Sequence, residues 1–170
     1  FEFSQDKAFL QKCQKQIADI TYTIVYLRDE NGLTSAIPNS DAKYLMDNCE
    51  VYSGLQAVMR LATSLEWKEK DLYTNIARTQ KSSILSLYFN QVKQNFYWAL
   101  DEAGFHNSDW NIFYPDALAQ LFPIAFGLLD DRPELKKQLW EKFNALYEIK
   151  YNYPPEQQII IKLAEKRMKL

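Results

Sequence analysis

Two carboxylates stand where a long apolar stretch begins, in Tyr44-Leu45-Met46-Asp47-Asn48-Cys49-Glu50-Val51-Tyr52-Ser53-Gly54-Leu55. An acid at the N-terminal end of a buried helix is held rigidly at the rim of whatever cavity the buried helices enclose. Burial there raises the carboxyl pKa and the helix dipole lowers it. A Glu so placed is the residue type that glycoside hydrolysis needs as general acid, with a second carboxylate about 5–10 Å away as base or nucleophile. The same residues also read as a helix start. Asp47 as N-cap, Glu50 three residues on and Met46 against Val51 make a capping box and a hydrophobic staple, together worth about 1–2 kcal/mol. The two readings do not exclude each other.

A second entrance of this kind is Asp109-Trp110-Asn111-Ile112-Phe113-Tyr114-Pro115-Asp116-Ala117-Leu118-Ala119-Gln120. Pro115 suits the first turn of a helix, and Asp116 beside it is favoured by the dipole. Ahead of it Phe96, Tyr97, Trp98, Trp110, Phe113 and Tyr114 crowd into a short span. Such rings form platforms for sugars or simply fill a core. Asp101 and Glu102 in the same span read as solvated acids. The single histidine, His106, rules out a His-rich metal site, and Cys13 and Cys49 lie in apolar helical patterns as unpaired core thiols. No self-contained catalytic, metal or cofactor motif is present.

The elements that must position these residues are helices. Glycine and proline number only four and six and mostly fall between long periodic stretches. Phe9, Cys13, Ile17, Ile20, Ile24 and Leu27 mark an amphipathic helix over 5–28, followed by a loop over 33–43. The stretch 51–65 has almost no polar face and should be buried on most sides. A helix over 69–90, a loop over 95–109 and a second apolar helix over 115–129 come next. The amphipathic helix 133–150, a break at 151–155 and a last helix from 156 that frays near 170 complete the chain.

Set side by side, the first two pairs repeat as amphipathic helix, loop with a short extended stretch, apolar helix. Tyr26 answers Phe89, Ala36 answers Ala99 and Asn48 answers Asp116. The expected fold is all-α: three helical hairpins in an inner and outer layer, forming one domain over 1–170.

The Asp-Asn-Cys-Glu-Val-Tyr-Ser-Gly-Leu entrance resembles the Glu-containing helix entrance, ending in Tyr-Gly, of the six-hairpin (α/α) toroid glycoside hydrolases, notably families eight and one hundred and twenty-six. The segment from Trp110 to Gln120 resembles a second inner entrance of that architecture. The resemblance implies a toroid of which this chain is about half, with the other half in the same protein or supplied by a second copy. It implies Glu50 as general acid, with Tyr52 and Gly54 close to the family's Tyr-Gly. Asp116 is the candidate base by repeat equivalence. Asp47, Asn48, Tyr52, Trp98, Trp110, Asn111 and Tyr114 are the candidate substrate-binding residues.

The net charge of −2, from 20 basic and 22 acidic residues without blocks, leaves no footprint for a nucleic-acid backbone or an anionic membrane. No apolar run reaches a membrane span, and no signal segment opens the chain, which starts at Phe1 as a processed product or fragment would. The reading is a carbohydrate-active protein that hydrolyses glycosidic bonds of an oligo- or polysaccharide by carboxylate acid/base catalysis, without metal or cofactor. Its rivals are a helical-repeat scaffold presenting a concave face to a glycan or protein, and an isomerase or lyase on the same architecture.

Overall fold

In the computed structural model, which describes residues 6–147 and 153–169, the periodic stretches are helices but the chain is not all-α. Two short helices open it, α1 (Lys7–Lys12) and α2 (Gln14–Tyr26), separated at Cys13. Strand β1 (Lys43–Tyr44) leads straight into the long α3 (Leu45–Ser64), and α4 (Lys70–Ser83) returns along it. After a wide helical turn at Ile84–Tyr88 come four strands: β2 (Phe89–Asn90), β3 (Asn95–Phe96), β4 (Ala99–Asp101) and β5 (Gly104–His106). A second wide turn at Phe113–Ala117, the short α5 (Phe122–Ala125), α6 (Pro133–Leu146) and α7 (Pro155–Met168) follow.

The expectation of an all-α half-toroid is therefore corrected. Among the described residues five strands form two antiparallel sheets, β1-β4-β5 and β2-β3, between the helical hairpins. The stretch 95–109, read as loop, carries three of them. Tyr44 pairs with Ala99, Leu100 with Phe105 and Phe89 with Phe96. The physical reason lies in the Phe-Tyr-Trp-Ala-Leu run, whose aromatic residues suit a pleated, half-buried surface. Asp101 then turns the chain, its Oδ1 accepting the Ala103 N–H at 2.9 Å before Gly104 takes a φ of +104°.

The second apolar stretch is not one helix either. The wide turn at 113–117, with Tyr114 extended within it and Ala117 N–H tied to the Ile112 carbonyl at 3.0 Å, is separated from α5 by turn residues at 120–121. Burial matches the apolar composition all the same. From Asp116 to Leu129 every residue but Phe126 is buried. This segment, Leu45, Cys49 and Tyr52 of α3, Tyr88, Phe96, Phe143 and Ile160 share one core. α3 packs along α4, α5 along α7, and α3 touches α5. The expected helix start at Gln5, helix end at Lys150 and fraying at Leu170 lie outside the described residues.

Buried amides tie the extended segments to the apolar helices. Asn48 accepts the Thr34 N–H at 2.8 Å and donates to the Thr34 carbonyl at 3.1 Å, opposite the bridge from Arg28 to Thr34. Gln120 does the same to Phe96, opposite Phe89. The residue that answers Asn48 in the second unit is thus Gln120 rather than Asp116.

Candidate functional site

Helix α3 begins at Leu45 with its N-cap at Tyr44, three residues ahead of the Asp47 cap that the sequence implies, because the β1 pairing ends at Tyr44 and leaves that residue extended. Asp47 consequently sits inside the first turn and Glu50 one turn further in, so neither is part of a capping box. Three residues apart on a helix, they are neighbours on one face. Neither carboxylate has a hydrogen bond or ion pair among the described residues, which leaves both available to a ligand.

Two cavities share this pair. One, of about 420 Å³, is walled by Ile20, Ile24 and Leu27 of the α2 side, by Thr34 to Ala36 and by Val51. The other, of about 240 Å³, is lined by Met46, Tyr114, Leu118, Phe122 and the start of α7, Glu156 and Gln157. Asp47 and Glu50 belong to both. Burial pushes both carboxyls above the usual carboxylate range, and for Glu50 the charge of Asp47 adds to that push.

The remaining candidates are distributed unequally. Tyr114, 56% exposed, joins Glu50 in the smaller cavity. Asp116 does not line either cavity that Glu50 lines. It is buried, and its Oδ1 accepts the Asp109 N–H at 2.8 Å, which fixes the turn ahead of the second apolar segment. Asn48 and Tyr52 are buried in the core, Asn48 as the clip on Thr34. Trp98 lies in the connection between sheets, stacked on Tyr44 with ring centroids 6.2 Å apart and tilted on His106 at 5.0 Å. Trp110 and Asn111 line a separate cavity. Glu156, which sequence reasoning passed over as a plain helix start, is the acid that faces the smaller cavity from the α7 side. Its signal was available in Pro154-Pro155-Glu156, an acid in the first turn of a helix, the same logic that singled out Glu50.

Among the described residues no group of three or more His, Cys, Asp or Glu is placed to hold a metal ion. None of the described helices is long and apolar enough to cross a membrane. Cys13 and Cys49 are both free, the first half-buried and the second buried.

With this geometry in place, comparison with known proteins bears on the fold. The chain is similar in structure to part of a solved family GH78 rhamnosidase of Bacillus sp. GL1, at a TM-score of 0.63 and 11% sequence identity. The match covers 96% of this chain and 18% of the rhamnosidase chain. The shared feature is the fold, and the likeness is to a glycoside hydrolase of another family than eight or one hundred and twenty-six. No protein-family model and no curated protein sequence matches the chain.

Proposed function

We propose that this chain forms part of a carbohydrate-active protein that hydrolyses glycosidic bonds, with Glu50 as the proton donor. The observation that carries this reading is that two cavities meet at Asp47 and Glu50. A glycosidic bond has a sugar on one side and a leaving group on the other, and a proton donor belongs between the two binding spaces. The raised carboxyl of Glu50 holds its proton to higher pH than an ordinary carboxylate, as a general acid requires. The negative charge of Asp47 one turn away sustains that state.

Glu156, which lines the smaller cavity from α7, is the second carboxylate, in place of the buried Asp116. It either takes a proton from the water that attacks the anomeric carbon or itself attacks that carbon, while Glu50 protonates the leaving oxygen. Tyr114 offers an exposed ring for the sugar face. The structural likeness to a rhamnosidase makes rhamnosides a first substrate class to test.

The test uses the longest natural polypeptide that carries this chain, assayed on nitrophenyl glycosides, rhamnosides included, and on alkyl glycosides and polysaccharides. Glu50→Gln at unchanged melting temperature should abolish cleavage of alkyl glycosides, on the order of a 10²- to 10⁴-fold loss, and spare nitrophenyl glycosides more, since their leaving groups need less protonation. Equal activity of wild type and Glu50→Gln on every substrate would overturn the assignment. Glycan binding without any cleavage would replace the hydrolase by the scaffold reading.

A further inference from the structure

Independently of Glu50, a third cavity of about 580 Å³ opens where the β2–β3 turn, the segment after β5 and α6 come together. It falls within the usual range for small-molecule sites, about 300–1,000 Å³. It shares no lining residue with the two cavities at Glu50. Its walls include Lys93, Asn107, Asp109, Trp110, Asn111 and Lys142.

The chemistry of these walls is unbalanced toward donors. Lys142 lies over the Trp110 ring with its Nζ 4.8 Å from the ring centre, a cation–π contact that holds the ammonium at the cavity. Lys93 is carried by a turn whose N–H groups at Val92 and Lys93 are fixed on Asn90 Oδ1 at 3.0 and 3.1 Å. Neither lysine has a carboxylate partner among the described residues. Asp109, the one acid among the described lining residues, has Oδ1 engaged by both the backbone and side-chain N–H groups of Asn111, at 2.9 and 3.0 Å. The Asn107 amide accepts from Asn90 through Oδ1 and keeps its NH₂ group to offer. The indole N–H of Trp110 has no acceptor among the described residues.

We infer that this cavity binds a carboxylate-bearing sugar, a uronate residue of an acidic glycan. Two ammonium groups match one carboxylate, which only accepts hydrogen bonds. The neutral amides of Asn107 and Asn111 match ring hydroxyls, which both donate and accept. The indole and Leu146 give the cavity its apolar wall beside the pyranose ring. The site is a binding subsite, separate from bond cleavage.

The experiment follows the four Trp indole N–H signals by two-dimensional NMR, with the Trp110 signal identified through Trp110→Phe. Sodium glucuronate at millimolar concentration should move the Trp110 signal saturably, and added salt should weaken the effect. Glucose and acetate at the same concentration should leave it in place. Because Lys142→Met removes packing on Trp110 as well as charge, Lys93→Met is the second variant, and each should weaken glucuronate by about threefold, as expected for a solvent-exposed ion pair. Glu50→Gln should leave glucuronate binding unchanged. A shift equally large with glucose, or with acetate, or no shift with glucuronate, would overturn the inference.

Discussion

Gln120 holds both backbone hydrogen-bonding groups of Phe96, accepting its N–H at 2.7 Å and donating to its carbonyl at 3.0 Å, with both residues fully buried. The two N–H groups of Gln120 Nε2 are shared among the Phe96 carbonyl, Ser108 Oγ at 2.9 Å and the Asp116 carbonyl at 3.0 Å. One side chain thereby joins the β2–β3 hairpin, the segment after β5 and the second apolar stretch. Gln120→Leu leaves the Phe96 N–H without an acceptor in a dry core and should cost about 2–4 kcal/mol. Urea denaturation measures it, and Asn48→Leu, which strands Thr34 and Gln80 Nε2, should fall in the same range.

The Asp47 and Glu50 pair should make the chain less stable at neutral pH than its fold requires. Both carboxyls are raised, so the folded state keeps protons that the unfolded state has released. The contribution of this pair to stability is then most favourable in acid, below the unfolded values near 4, and is lost as pH rises through the folded values. Asp47→Asn and Glu50→Gln should each stabilise the chain at about pH 7 by about 0.5 kcal/mol or less, since solvent screens both groups. The gain should vanish near pH 3. Denaturation midpoints at the two pH values decide this, and a loss of stability at neutral pH would restore the capping role for these acids.

Two glycines should respond in opposite senses to alanine. Gly54 lies within α3 with nothing within 4 Å of an added Cβ, so Gly54→Ala should stabilise by about 0.5–1 kcal/mol. Gly32 has a φ of +79°, and an added Cβ would meet Ser83 Oγ at 2.8 Å, the hydroxyl that donates to the Asn31 carbonyl. Gly32→Ala should destabilise by at least about 1 kcal/mol through loosening of the turn from α4. Paired melting curves suffice.

The thiols offer a count. Burial, and then the charge of Glu50, push the Cys49 thiol well above its ordinary value, whereas Cys13 is only half-buried. A thiol reagent should modify Cys13 alone in the native chain and both cysteines after denaturation without reductant. Two fast thiols in the native state would contradict the packing of α3.

Much of the helical layout was legible, because burial on one face leaves a mark every three to four residues. Leu139 and Phe143 in α6, and Ile160 and Ala164 in α7, carry that mark, whereas Phe9 and Ile20 of the stripe expected over 5–28 are exposed. The strands were not legible, since strands of two or three residues have no room for a period. Tyr44 pairs with Ala99 across a separation of fifty-five residues, and no local signal announces such a partner. The expected helix over 115–129 was hidden differently: its residues are apolar and buried as in a helix, while the wide turn ending at Ala117 gives way to a turn at 120–121 before α5.

By itself the sequence marked the amphipathic helices and the acids at the entrances of the apolar stretches, because each property is carried by neighbouring residue types, but within 51–65, expected to be buried on most sides, only Tyr52, Leu55 and Ala62 are buried. The tertiary structure decided which acids share a cavity. Pairing of β1 with β4 sets the start of α3, and this moves Asp47 and Glu50 from cap positions onto a cavity rim. Packing of α7 on α5 brings Glu156 to the same cavity, while the Asp109 amide draws Asp116 into the core. Those outcomes depend on hydrogen bonds and contacts between residues far apart in the chain, and no spacing within one segment encodes them.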